Sequence, residues 1–192
     1  LAASNACADM PVQLADLSTV AAPGQLVGAD LLMGDGTAFN DTALTTYQYT
    51  DHGTYTIVLA VETQHGCQDS TSQLVAIHPV PDALFSFSNI CENDTALFAD
   101  QSTVGIGSIE QWQWQFGNGQ QSSQQQPPSQ SYPADSIYAV QLTVTSDSGC
   151  VGTLADTIEV YPAPISDFTF DSICYPLPIQ FTDLSLATGI YP

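Results

Sequence analysis

An internal period of 83 residues constrains this chain more than any other feature of its sequence. Cys67 and Cys150 lie 83 residues apart, as do Cys91 and Cys174, while Cys7 and Cys91 lie 84 apart. At the same offset of 83, Gly34-Asp35-Gly36 falls on Gly117-Asn118-Gly119, Tyr49 on Tyr132, Tyr55 on Tyr138 and Gly66-Cys67 on Gly149-Cys150. Self-similarity at this spacing predicts a tandem array of small units rather than one large domain. The register gives two full copies, 1–79 and 80–163, and the first part of a third, 164–192, with the parent polypeptide expected to continue. The joints are His78-Pro79-Val80-Pro81 and Tyr161-Pro162-Ala163-Pro164. Alternate prolines cannot donate to a ladder and favour an extended, stiff link.

Within a copy the apolar residues alternate with period two, which predicts an all-β unit. In the second copy the expected strands are Leu84 to Phe87, Ala96 to Ala99, Gln111 to Phe116, Ile137 to Thr145 and Thr153 to Tyr161, with weak strands between Gln120 and Tyr132. The first copy repeats the plan from Val12 to Leu14, through Leu31 to Met33 and Tyr55 to Glu62, to Thr71 to Ile77. Tyr55, Ile57, Leu59 and Val61 share one face of a strand, as in a sandwich with one side buried. Asp35-Gly36 and His65-Gly66 read as turns. Units of about eighty residues bury only about 60–65% of their unfolded surface, so a disulfide, a metal or a neighbour usually supplements the core.

Lys and Arg are absent, against 20 acidic residues, for a formal charge of −20. Nucleic acid is therefore not expected as a partner, because phosphate contacts draw on Lys and Arg. Direct membrane insertion is not expected either, since no stretch approaches the roughly 18 apolar residues of a spanning helix.

Chemistry-bearing residues are few. His52, His65 and His78 all lie in the first copy without counterparts in the second, which argues against a catalytic role in a repeated unit, and no nucleophile elbow, zinc-protease or phosphate-loop motif occurs. No cofactor and no catalytic residue are expected. Calcium could find hard oxygen ligands at Asp35, Asp51, Asp100 and Asp183, but their spacing matches no calcium loop. Asp16-Leu17-Ser18, Asp100-Gln101-Ser102 and Asp183-Leu184-Ser185 recur with the period and are better read as Asx turns. Trp112 and Trp114 could stack on a sugar, yet core packing of the third strand accounts for them more simply, and Leu31 at the position of Trp114 supports that reading.

Trp112-Gln113-Trp114-Gln115-Phe116-Gly117-Asn118-Gly119, followed by Tyr132, Tyr138, Val140, Leu142 and Val144, resembles the polycystic kidney disease (PKD) domain signature, roughly W-x-F-G-D-G and then Y-x-x-x-G-x-Y-x-V-x-L-x-V. The first copy keeps Met33-Gly34-Asp35-Gly36 and the run from Tyr49 to Leu59. It departs at Leu31 and Met33, and the second copy departs at Ser136, where the first has Gly53. The resemblance implies tandem immunoglobulin-like β-sandwiches, non-enzymatic and extracellular, used as spacer, adhesive surface or accessory to a catalytic domain.

The cysteine pattern looks like that of long PKD arrays in gliding adhesins of Bacteroidota exported by type IX secretion. On that resemblance Cys7 is expected to pair with Cys67 and Cys91 with Cys150, leaving Cys174 for a partner beyond Pro192. Each loop of about sixty residues would then add about 4 kcal/mol on the chain-entropy model. Asp41-Thr42-Ala43, Asp69-Ser70-Thr71, Asp94-Thr95-Ala96, Asp135-Ser136-Ile137, Asp156-Thr157-Ile158 and Asp171-Ser172-Ile173 resemble the O-glycosylation sequon of the same phylum, with Thr42, Ser70, Thr95, Ser136, Thr157 and Ser172 as acceptors. The implied role is a structural segment of a secreted surface adhesin or filament. Its expected partners are neighbouring repeats, surface polysaccharide and other cell-surface proteins. The alternative is an accessory module of a secreted glycoside hydrolase or peptidase.

Overall fold

The computed structural model describes residues 1–40 and 45–186, which form strands and turns and no helix. The chain divides into two compact units. The first comprises Leu1–Asp82 with Thr103–Glu110 and Thr145–Gly152, and the second comprises Ala83–Ser102, Gln111–Val144 and Thr153–Pro192.

The first repeat contains β1 (Ala2–Ala3), β2 (Ala6–Cys7), β3 (Val12–Ala15), β4 (Leu26–Leu32), β5 (Ala38–Phe39), β6 (Thr46–Tyr47), β7 (Gly53–Thr63) and β8 (Gln68–His78). They form two sheets, ordered β1-β3-β6 and β2-β8-β7-β4-β5. The expected hairpin is the long one, with β7 and β8 antiparallel from Gly53↔Ile77 to Glu62↔Gln68. Period-two alternation places Ile57 and Leu59 inward from β7, and Val75 and Ile77 from β8. With Val12, Leu14, Leu31, Met33 and Tyr49 they form the core, and Tyr55 and Val61 pack half-buried against it. Each fully buried aliphatic side chain contributes about 1.5–3 kcal/mol.

The second repeat runs through β9 (Phe85–Ser86), β10 (Ile90–Cys91), β11 (Thr95–Ala96), β12 (Ala99–Asp100), β13 (Ile109–Gln115), β14 (Gln121–Ser122), β15 (Gln130–Ser131), β16 (Ser136–Ser146) and β17 (Val151–Tyr161). Its five-stranded sheet, β10-β17-β16-β13-β14, repeats the order of the first. Phe85, Phe98, Trp114 and Phe116 fill its core beside Tyr132, Val140, Leu142 and Val144. Beyond the second joint lies an antiparallel pair, β18 (Phe168–Phe170) with β19 (Phe181–Asp183).

Two local devices hold each copy in register. Gly34 (φ 81°) and Gly117 (φ 75°) occupy the left-handed region that a tight strand-to-strand turn requires. A Cβ there would lie 2.7 Å from the Thr56 carbonyl oxygen and 2.6 Å from that of Ala139, so only glycine fits. The buried phenols of Tyr49 and Tyr132 donate to the carbonyls of Met33 and Phe116, at 2.7 Å and 2.9 Å, satisfying a polar atom that burial would otherwise penalise.

Candidate functional site

The cysteines are placed by the way each copy begins. Its first strand leaves one sheet for the other: Ala2 and Ala3 pair with β3, then Ala6 and Cys7 pair in parallel with the end of β8, at Ala6↔Ile77 and Cys7↔His78. Asn5 makes the crossing by accepting the Ala76 N–H on its Oδ1 at 2.9 Å, and the Ala8 N–H donates to the His78 carbonyl at 2.9 Å. The second copy repeats the arrangement. Asn89 Oδ1 accepts the Glu159 N–H at 3.0 Å, Cys91 pairs with Tyr161, and the Glu92 N–H donates to the Tyr161 carbonyl at 2.7 Å.

The hairpin cysteines are equally alike. Thr63 N–H donates to the Cys67 carbonyl at 2.9 Å and Ser146 N–H to the Cys150 carbonyl at 2.9 Å. The Thr63 and Ser146 hydroxyls accept from the Cys67 and Cys150 amides, at 3.2 Å and 3.1 Å.

The expected pairs Cys7–Cys67 and Cys91–Cys150 do not form. Cys7 is bonded to Cys150, with Cα atoms 5.7 Å apart and 143 residues between them in sequence, and Cys67, Cys91 and Cys174 are free and exposed. The reason is strand length. Cys7 lies beside the last residue of β8 and Cys67 just before the first, and β8 has eleven residues, so the two cysteines are separated along the strand by about 35 Å. A disulfide tolerates Cα separations of at most about 7 Å. The eleven residues of β17 separate Cys91 from Cys150 in the same way. Each copy therefore carries a cysteine at each end and cannot bond to itself. The pairing signal lies in Ala6-Cys7 and Ile90-Cys91, two-residue parallel ladders too short to read from periodicity.

Three of the four aspartates considered for calcium, Asp35, Asp100 and Asp183, are engaged in turns. Asp16, Asp100 and Asp183 accept the amides of Ser18, Ser102 and Ser185 at 2.8, 3.0 and 2.8 Å, the predicted Asx geometry. Hydrogen bonds from the Ser185 hydroxyl and amide hold the Asp183 carboxyl below its ordinary value. Burial pushes Asp35 upward, but hydrogen bonds from the Tyr47 phenol and from Thr37 outweigh it and leave the carboxyl lowered. Asp51 is exposed. Among the described residues no group of three or more His, Cys, Asp and Glu is placed to hold a metal ion.

Trp114 is fully buried, its indole N–H donating to the Gln124 carbonyl at 3.0 Å. Trp112 is half-buried and donates to Asp100 Oδ2 at 2.8 Å. Of the glycan acceptors, Ser70, Thr95, Ser136, Thr157 and Ser172 are exposed, and Thr42 lies outside the described residues. His52 and His65 are exposed and His78 half-buried in β8. Gly152, absent from the sequence-based candidates, is buried against the first joint: a Cβ on it would collide with the Pro81 carbonyl oxygen. The contrast between Gly149-Cys150-Val151-Gly152 and Gly66-Cys67-Gln68-Asp69 is the signal that could have singled it out.

Comparison with known proteins places both copies. The family model for the PKD domain matches residues 1–78 and again 76–160. No curated protein matches at a significant level. Among solved structures, the PKD1 domain of Vibrio anguillarum Epp is 34% identical, covering 42% of this chain and 93% of its own, with a TM-score of 0.39. The PKD1 domain of the Vibrio cholerae metalloprotease PrtV is 36% identical over 42% of this chain and 96% of its own, with a TM-score of 0.38. The two matches of the family model together span residues 1–160, most of the sequence, so the chain belongs to the PKD domain family, as two tandem copies.

Proposed function

We propose that this chain is a non-enzymatic, load-bearing spacer of a secreted, surface-attached protein. It is of the kind built from PKD arrays in Bacteroidota adhesins that serve attachment or gliding and leave the cell by type IX secretion. The observation that carries the reading is the bond between Cys7 and Cys150, which joins a cysteine of one repeat to a cysteine of the next. Structural disulfides persist in oxidising, extracellular compartments. Tension applied at the ends passes through the sulfurs and bypasses the intervening 143-residue separation, so the stretch from Cys7 to Cys150, with the joint between the two copies, is relieved of load while β17 (Val151–Tyr161) remains in the load path.

Two further features support a surface location. The net charge of −20 repels nucleic acid and anionic lipid and keeps an extracellular segment soluble. The exposed acceptors Ser70, Thr95, Ser136, Thr157 and Ser172 are open to O-glycosylation, which would add hydrated bulk. No described helix is long and apolar enough to cross a membrane. In this role the partners are adjoining repeats, with surface polysaccharide or other surface proteins reached by whatever the spacer presents.

Single-molecule stretching from the two ends tests the reading. Reduction is expected to lengthen the fully extended chain by about 500 Å, the contour of the bypassed residues. Equal extension before and after reduction would contradict a load path through the bridge.

A further inference from the structure

We propose that Cys7–Cys150 is one link of an overlapping ladder, and that Cys91 and the exposed Pro164 form the socket for the hairpin cysteine of a following PKD repeat. This goes beyond the spacer reading and does not depend on it. Three observations carry it.

The sulfur-bearing backbone is the same in both copies. Asn5 and Asn89 pin the strand two residues before each cysteine, the parallel ladders Cys7↔His78 and Cys91↔Tyr161 hold it, and the next amide donates to the carbonyl of His78 or Tyr161. Cys7 is bonded in this frame and Cys91 is exposed and free. Cys91 also cannot reach Cys150, because the length of β17 separates them. Its partner must therefore come from another repeat.

The prolines of the two joints differ in burial. Pro79 and Pro81 are buried, whereas Pro162 is half-buried and Pro164 exposed. What lies against Pro81 is Gly152, two residues after Cys150, where any side chain would collide with the Pro81 carbonyl. The entering hairpin is thus Gly-Cys-x-Gly, as in Gly149-Cys150-Val151-Gly152. The first copy has Asp69 at the position of Gly152, so its own hairpin does not carry this fit.

Closing the second bond removes two protons and two electrons from the paired thiols. A small-molecule disulfide such as glutathione disulfide accepts them and becomes two thiols. The consequence is topological. The loop closed by Cys7–Cys150 and the loop that begins at Cys91 share residues 91–150, so no joint between repeats lies outside a covalent loop. A single backbone cut within such an array would leave it connected.

The test uses the full chain extended at Pro192 by its own residues 110–162, which completes the third repeat in register, oxidised in a glutathione buffer and mapped without reduction. Cys7–Cys150 and a bond from Cys91 to the added hairpin cysteine are expected, with Cys67 and Cys174 open to alkylation. The idea fails if the added cysteine bonds Cys174 or stays free while Cys91 is alkylated, or if Cys91 bridges appear only as concentration-dependent dimers. A second measurement does not require the added repeat to fold. In the 192-residue chain, Gly152→Asp is expected to lower the bonded-to-reduced ratio of Cys7–Cys150 at least tenfold at fixed glutathione poise. An unchanged ratio would overturn the socket.

Discussion

Leu31 and Met33 fill in the first sandwich the places that Trp114 and Phe116 hold in the second, and the two frames are otherwise superposable device for device. In the second copy Trp114 and Phe116 stack at 5.9 Å and meet Phe85 and Phe98 at 5.4 and 5.2 Å. In the first copy the aromatic contacts run through Phe39, Tyr47, Tyr49 and Tyr55, with Tyr49 and Tyr55 stacked at 4.0 Å where the second copy holds Tyr132 and Tyr138 at 4.7 Å. The side chains that fill volume have changed, whereas the glycine turn, the Asx turn, the buried tyrosine and the asparagine-pinned strand have not. The difference teaches that this fold tolerates exchange of core volume but keeps the groups that satisfy backbone and fix its path.

The largest expected effect breaks that comparison at its centre. Trp114→Ala should cost about 3–5 kcal/mol by opening a cavity and stranding the Gln124 carbonyl, against about 2–4 kcal/mol for Leu31→Ala. Urea denaturation followed by tryptophan fluorescence for the second copy and by circular dichroism for the first checks the ranking. Cys150→Ser should cost about 2–4 kcal/mol, below the roughly 5 kcal/mol that chain entropy gives for a loop of 143 residues. It should also make the two copies unfold independently.

Tyr49→Phe and Tyr132→Phe should each cost about 1–2 kcal/mol, the penalty of leaving the Met33 or Phe116 carbonyl unpaired, and equal costs would sharpen the claim that the device is shared. Burial is the first cause of a rise in both phenols, to about 12. A raised pKa favours the protonated phenol in the folded state, so its contribution is complete below pH 10 and is lost as pH rises from about 10 to about 12. Alkaline titration of stability should show that fall, with a smaller slope in either Phe variant. The smallest effect is expected at the turns, where Asp16→Ala or Asp100→Ala should cost about 0.5–1.5 kcal/mol, with Asp100→Ala the larger because the Trp112 indole also loses its acceptor.

Much of this was legible because it is local. Positive φ at Gly34 and Gly117 follows from the turn itself, the Asx turns from Asp-x-Ser, and the β7–β8 hairpin from strict alternation over Tyr55 to Val61. The strands of Ala6-Cys7 and Ile90-Cys91 carry no such signal at two residues each. The sulfur pairing was lost with them, since periodicity makes Cys67 and Cys150 equivalent as partners for Cys7. Only the eleven-residue length of β8, combined with the knowledge that Cys7 pairs at its far end, separates the two.

The copies thus differ in one more respect, that one end cysteine is bonded across repeats and its counterpart is open. Non-reducing digestion of the native chain at acidic residues, with free thiols alkylated beforehand and the linked peptides identified by mass spectrometry, tests this most directly. A peptide holding Cys7 joined to one holding Cys150, with Cys67 and Cys91 alkylated, is the predicted result. Recovery of Cys7 joined to Cys67 and Cys91 joined to Cys150 would contradict the account.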